Sequence, residues 1–208
     1  LRQLVGGTKR EFLIVSPYFI PGKDGVERLV NLRRRGVRVI ILTNSLASTD
    51  VAAVHAGYKR YRKELLRAGV ELYENKPSGS WKRGFGRFRG LLAGSRGGSS
   101  RASLHAKTFT FDRRSIFVGS MNLDPRSVRL NTEIGILVEC PELAKGFTDI
   151  VLSDLKHNAY HVELDGDELV WISIEDGKTV RHPTEPQTTG WQRFSVGVLS
   201  LLPLEGQL

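Results

Sequence analysis

The sequence predicts an α/β fold, a mixed and largely parallel sheet flanked by helices, and three observations carry that prediction. Short β-branched apolar runs alternate with helix-length amphipathic stretches through residues 11–73, the pattern of strands joined by right-handed crossovers. Glycines stand where the helical patterns stop, at Gly36 and Gly69, as helix C-termini favour. The 208 residues are 40% hydrophobic and 25% charged, a balance that buries a core without staples.

In chain order, Glu11 to Pro17 (EFLIVSP) is an apolar run closed by proline and predicts a buried strand. Val26 to Arg35 predicts a helix, and Val37 to Leu42 (VRVIIL) a second strand. Thr49 or Asp50 is the expected N-cap of one long helix in which Val51, Val54, Tyr58, Tyr61, Leu65 and Ala68 recur at helical spacing. Val70 to Tyr73 returns to strand. Residues 75–103 set Gly84, Gly86, Gly90, Gly94, Gly97 and Gly98 among lysines and arginines, and read as a long mobile loop. Leu104 to Phe111 and Ser115 to Val118 predict two strands about the turn Asp112-Arg113-Arg114, and Thr132 to Glu139 predicts another. A helix over Pro141 to Lys156 follows, then a hairpin of Tyr160–Leu164 and Leu169–Ile174 about Asp165-Gly166. Trp191 to Leu202 is expected to be helical, and no internal repeat is visible.

Composition narrows the function classes. Cys140 is the only cysteine, which excludes an internal disulfide framework and suits a reducing compartment. No apolar run reaches the roughly 18 residues of a membrane span, and the first residues lack the pattern of a secretion signal. The chain starts at Leu1, so a fragment is expected. Net charge is +9, with 24 basic and 8 acidic residues in the first 114 positions, while residues 141–208 carry 5 and 11. That asymmetry points to an anionic partner: nucleic acid, an anionic membrane or a phosphorylated substrate.

The chemistry concentrates in His105-Ala-Lys107-Thr-Phe-Thr-Phe-Asp112 and Gly119-Ser120-Met-Asn122. In an extended chain residues two apart share a side, so His105 and Lys107 point one way and Ala106 and Thr108 the other. A phosphate diester repels nucleophiles, and a site that attacks it needs positive charge and hydrogen-bond donors on its oxygens. Lys107, Ser120 and Asn122 supply these. The neutral imidazole of His105 suits attack on phosphorus or protonation of a leaving alkoxide.

His105, Lys107 and Asp112 match the H-x-K-x4-D signature of the phospholipase D superfamily, and Gly119, Ser120 and Asn122 match its trailing G-S/G-x-N. SPYFIPG at 16–22, TNSLASTDVAAVHAGYKRYRKELL at 43–66 and MNLDPRSVRLNTEIGILVE at 121–139 resemble the C-terminal half of bacterial cardiolipin synthase-like members, and the last residues resemble their natural C-terminus. The resemblance implies a phospholipase D-like domain over residues 1–208, one half of the usual two-half enzyme. In that family two histidine–lysine motifs meet at a pseudo-twofold axis; one histidine becomes a phosphohistidine and the other serves as acid, then base. The remaining histidines, His55, His157, His161 and His182, lack a lysine two positions on. The second motif is therefore expected from a missing N-terminal half or from a second copy, truncation being favoured.

The resemblance further implies phosphatidyl transfer on anionic phospholipids at a membrane surface, with a peripheral position on the cytoplasmic face of the bacterial inner membrane. A nuclease of the same superfamily, or a non-catalytic lipid-binding half-domain, stays open. Its implied site comprises His105, Lys107, Asp112, Ser120, Asn122 and Glu133, the last as the acid that orients the histidine. On the residues alone Asp112 suits tying the strand end to its turn better than touching substrate. No metal or other cofactor is expected, since no Asp, His or Cys cluster has ligand spacing.

Tyr18, His55, Tyr58 and Arg126 are the substrate-binding candidates, each with a bland counterpart. Tyr18 lines the pocket mouth or packs beside Phe19; His55 and Tyr58 reach the headgroup or simply pack their helix; Arg126 holds a phosphate or a structural ion pair. In the loop, Trp81, Phe85, Phe88 and Leu92 lie among cations, which suits a lipid interface, a solvated lid or single-stranded nucleic acid. Val196 to Leu204 either covers the sheet or dips into a membrane.

Overall fold

The computed structural model of the chain describes residues 2–77, 104–125, 127 and 132–202. The Gly/Arg-rich stretch from 78 to 103, with its aromatic residues, and Arg126 lie outside the described residues.

Strands β1 (Glu11–Val15) and β2 (Arg38–Asn44) are almost continuously apolar because both their faces are covered. They pair in parallel, and β2 pairs in parallel with β3 (Glu71–Asn75). On one flank β4 (Thr108–Phe111), β5 (Ser115–Gly119) and β6 (Gly135–Glu139) run antiparallel from β1. On the other, β7 (Ala159–Asp165), β8 (Glu168–Glu175) and β9 (Lys178–His182) run antiparallel from β3. The result is one nine-stranded sheet, ordered β6-β5-β4-β1-β2-β3-β7-β8-β9. The mixed α/β class is as expected, but the parallel share is confined to β1, β2 and β3. Tight turns join β4 to β5, β7 to β8 and β8 to β9, and connections that short permit only antiparallel neighbours.

Alternate residues of each strand face two helical layers. Phe12, Ile14, Val39, Ile41, Leu72 and Phe109 meet α2 (Gly22–Arg34), α3 (Ala52–Lys59) and α4 (Arg62–Arg67) through Leu29, Leu32, Val54, Tyr58 and Leu65. Leu13, Val15, Ile40, Leu42 and Ile116 meet α5 (Pro141–Asn158) through Ala144, Phe147, Val151 and Leu155. A short α1 (Arg2–Gly7) precedes β1, and α6 (Gly190–Leu199) closes the described chain.

The glycine stops follow from backbone chemistry. Gly36 (φ 83°) and Gly69 (φ 82°) take the left-handed conformation that lets a following amide return to the helix. Val37 N donates to Leu32 O and Val70 N to Leu65 O, both at 3.0 Å.

Several elements differ from the sequence expectation. The long helix is two, α3 and α4, parted at Arg60–Tyr61; the break leaves the apolar stripe in phase, so periodicity does not register it. Neither Thr49 nor Asp50 caps α3. Val51 holds the N-cap position, Thr49 Oγ1 accepts from Val51 N at 3.3 Å, and Asp50 is engaged by Tyr18. Strand β9 was not anticipated, although Asp176 (φ 48°) and Gly177 (φ 77°) form the Asp-Gly hairpin turn that announces it. Ladder pairing in β4 starts only at Thr108, with residues 104–107 running ahead of it.

Candidate active site

The site is built where the chain enters β4. Leu104 is fastened to β2, its amide donating to Asn44 Oδ1 at 2.9 Å and its carbonyl accepting from Asn44 Nδ2 at 3.4 Å. Leu104 and Ala106 are buried in the α5 layer, whereas His105 is exposed and Lys107 half-buried. The alternation expected of an extended chain therefore holds through 104–107. His105 and Lys107 leave the backbone on the same side, and Lys107 Nζ lies 3.4 Å from the His105 carbonyl oxygen.

Burial pushes the Lys107 ammonium below its ordinary range; the negative charges of Glu133, Asp50 and Asp124 oppose that shift. The two aspartates were not singled out from sequence as site residues. Asp50 was read only as a helix cap, and Asp124 sits in the quoted stretch MNLDPRS without a role. Asp124 accepts from Ser127 N at 2.7 Å and from Ser127 Oγ at 3.0 Å, the side-chain turn that an Asp-Pro-x-Ser sequence favours.

Ser120 and Glu133 lock β5 to β6. The Ser120 hydroxyl donates to Glu133 Oε2, Ser120 N donates to Ile134 O at 2.9 Å, and Ile134 N donates back to Ser120 Oγ at 3.1 Å. The Ser120 hydroxyl thus holds the Glu133 carboxylate at the end of β5. Asn122 follows; its side-chain Oδ1 is buried without a hydrogen-bond partner among the described residues. Ile20 N donates to Leu123 O at 2.6 Å, tying this loop to the segment after β1. Two closely approaching backbones permit the arrangement: a Cβ on Gly119 would lie 2.6 Å from Ile134 O.

Tyr18 joins the same cluster. Its phenol donates to Asp50 at 2.9 and 3.0 Å. Burial, that hydrogen bond and the charges of Asp50 and Asp124 raise its pKa far above the ordinary tyrosine value, so it serves as a neutral donor.

Three candidates take their structural reading, and the catalytic role implied for Asp112 and the substrate-binding role of His55 and Tyr58 find no support in the geometry. Asp112 stands at the opposite end of β4 from His105 and does not face the site. Its Oδ1 accepts from the amides of Arg10 at 2.7 Å and Glu11 at 3.0 Å, and its Oδ2 from Lys9 N at 3.0 Å. The signature aspartate thus stitches β4 to the start of β1. His55 and Tyr58, each 2% exposed, are buried in the core. His55 Nε2 lies 2.9 Å from Glu185 Oε1, and Arg62 bonds Glu185 and lies over the Tyr58 ring at 5.0 Å. Amphipathic spacing put Tyr58 but not His55 among the apolar stripe, and Glu185, which His55 meets, is 130 positions away.

An exposed imidazole, a half-buried ammonium on the same side of the chain and a hydroxyl–carboxylate pair, arranged on this mixed sheet, are the elements expected of a phospholipase D-like domain. A family model described as "Cardiolipin synthase, PLD-like domain" matches residues 1–155, and the chain belongs to that family. It is 42% identical over 208 residues to cardiolipin synthase C of Escherichia coli (strain K12), covering 99% of this chain and 42% of that protein. The chain thus spans well under half the length of that relative. Among solved structures, a phospholipase D family member, Nuc, from Salmonella typhimurium superposes with TM-score 0.54 at 16% identity, over 78% of this chain and 88% of that one. Phosphatidylserine synthase of Haemophilus influenzae gives TM-score 0.54 at 16% identity, over 94% of this chain and 39% of that one. At that identity the superpositions speak for the fold.

Proposed function

We propose that this chain is the catalytic half-domain of a cardiolipin synthase-type phosphatidyltransferase. The observation that carries the reading is that His105 and Lys107 share the open side of one extended segment, whose Lys107 carbonyl accepts from Gly119 N at 3.1 Å just ahead of Ser120; the 42% identity to a cardiolipin synthase supports it. One of two paired histidines attacks the phosphorus of a phospholipid diester, forming an N–P bond as the P–O bond to the headgroup breaks. The other gives its proton to the departing alkoxide. It then takes the proton from the hydroxyl of a second lipid, phosphatidylglycerol in cardiolipin synthesis, whose oxygen attacks phosphorus and frees the histidine. Lys107 and the amide of Asn122 offset the negative charge on the non-bridging oxygens through the transition state. The Glu133 carboxylate, held by Ser120, orients the imidazole.

His105 supplies one of the two imidazoles. The second comes from a preceding half of a longer chain or from a second copy. The substrate and the basic first half of the sequence suit peripheral association with an anionic bilayer, at the cytoplasmic face of the inner membrane. Among the described residues no helix is long and apolar enough to cross a membrane.

The test expresses this chain with its preceding coding sequence and offers radiolabelled phosphatidylglycerol or single-stranded DNA. Labelled cardiolipin with release of glycerol, abolished by His105→Ala, is the expected result. Cleavage of DNA with no lipid product overturns the proposal, and lipid turnover untouched by His105→Ala does so equally.

A further inference from the structure

We propose that the outer face of α6 is a docking surface for an anionic lipid bilayer, beside the sheet end that carries His105. Thr189 and Gln192 fix the start of the helix with a reciprocal cap: Gln192 N donates to Thr189 Oγ1 at 3.2 Å, and Thr189 N to Gln192 Oε1 at 2.8 Å. One face then packs inward, Val196 against Leu46 and Ala56 with Leu199 beside them. The other face is apolar and uncovered: Trp191 is 74% exposed, Phe194 62% and Leu201 82%, with Val198 and Leu202 completing the stripe. The Trp191 and Phe194 rings stack at 5.7 Å. A contiguous exposed stripe of this kind marks an interaction surface rather than chance exposure.

The chemistry around the stripe selects a bilayer. Polar groups that would be costly in an apolar medium are already satisfied. Ser195 Oγ donates to Trp191 O at 2.8 Å and Ser200 Oγ to Gly197 O at 2.7 Å. At the C-terminus, where a helix leaves carbonyls unpaired, Arg60 Nε donates to Ser200 O at 2.6 Å and its guanidinium also reaches Leu202 O. The charge is of one sign. Arg60 and Arg193 flank the stripe, and neither Ala52–Lys63 nor Gly190–Leu202 contains an aspartate or glutamate. Cations beside exposed Trp, Phe and Leu match an interfacial helix on anionic lipid.

Position fits as well. Leu46 and Ala56, on which α6 rests, follow the end of β2, where Asn44 holds Leu104. A second exposed apolar patch, Ile134, Ile136 and Leu137, lies at edge strand β6 next to Ser120 and Glu133. The inference rests on the lipid reading for its meaning, but the binding it claims needs no turnover.

The chain is co-sedimented with vesicles of phosphatidylglycerol and phosphatidylcholine in equal parts, and with phosphatidylcholine alone. Binding to the anionic vesicles is expected. Trp191→Ser combined with Phe194→Ser should lower it at least about tenfold, and Trp191→Phe with Phe194→Leu should keep it within about twofold. Circular dichroism should find both variants folded, since the replaced side chains are exposed. Unchanged binding by the serine variant overturns the proposal. So does a lipid-free dimer that the serine variant dissociates, since the face would then be a protein interface. A transfer assay on detergent-dispersed substrate, run on the protein expressed with its preceding coding sequence, separates the two readings: transfer with α6-independent vesicle binding removes only the docking surface, and α6-dependent binding without transfer removes only the enzyme.

Discussion

The phenol of Tyr18 donates to both carboxylate oxygens of Asp50, at 2.9 and 3.0 Å, and so fastens the segment after β1 to the turn before α3. The Asp50 charge acts in turn on the Lys107 ammonium. Tyr18→Phe deletes the donor and leaves the ring. The expected loss is about 1 kcal/mol of stability, or about 2–4 °C in Tm, measured by thermal denaturation. The freed Asp50 carboxylate is expected to turn toward Lys107, lowering phosphatidyl transfer several-fold.

Lys107 is expected to set an alkaline limit on activity. Its folded pKa lies below 10.5 because burial disfavours the ammonium, so the charge is lost at a lower pH than in a free lysine. The rate of transfer should therefore fall as pH rises toward 10.5. Lys107→Arg, whose guanidinium stays charged, removes that limb while lowering the rate about tenfold or more, since a planar fork replaces a compact charge. Lys107→Met costs on the order of 100-fold to 1,000-fold at every pH. An unchanged alkaline limb in Lys107→Arg assigns the limit to another group.

Gly119→Ala tests the join between β5 and β6. The added Cβ would lie 2.6 Å from Ile134 O and 2.9 Å from Gly135 Cα, backbone that has no rotamer by which to yield. The expected cost is about 1–3 kcal/mol in urea denaturation. Transfer activity should fall with it, because Ser120 and Glu133 hold each other across that join.

The buried cluster of Arg62, Glu74, Glu185, His55 and Trp171 predicts an acid-side dependence of stability. Hydrogen bonds to His55 and the nearby Arg62 charge outweigh burial and hold Glu185 well below its ordinary 4.5. The stability it contributes is complete above 4.5 and lost as pH falls from there through the folded value. Glu185→Gln should lower stability at neutral pH by about 3 kcal/mol, as removing one partner of a buried ion pair does. It should also flatten the decline below 4.5. Urea titrations at pH 7 and in the acid range check both; a parallel decline in the two proteins contradicts the assignment.

The amino-acid sequence by itself determined the strand order from Glu11 to Tyr73, the helix that ends before Gly36, the glycine stops and the pairing of His105 with Lys107 on one side. Each follows from local backbone geometry, where side chains repeat every two or 3.6 residues and a left-handed turn calls for glycine. Tertiary structure decided what those faces meet. It covered His55 and Tyr58 with the segment of Glu185, gave Asp50 to Tyr18 instead of to a helix end, and sent Asp112 to the amides of Lys9, Arg10 and Glu11. It also left Trp191 and Phe194 uncovered on α6, and Leu201 just beyond its end. Contacts across 32 to 130 positions arise from which apolar surfaces remain to be covered once the layers close, and local periodicity does not encode that.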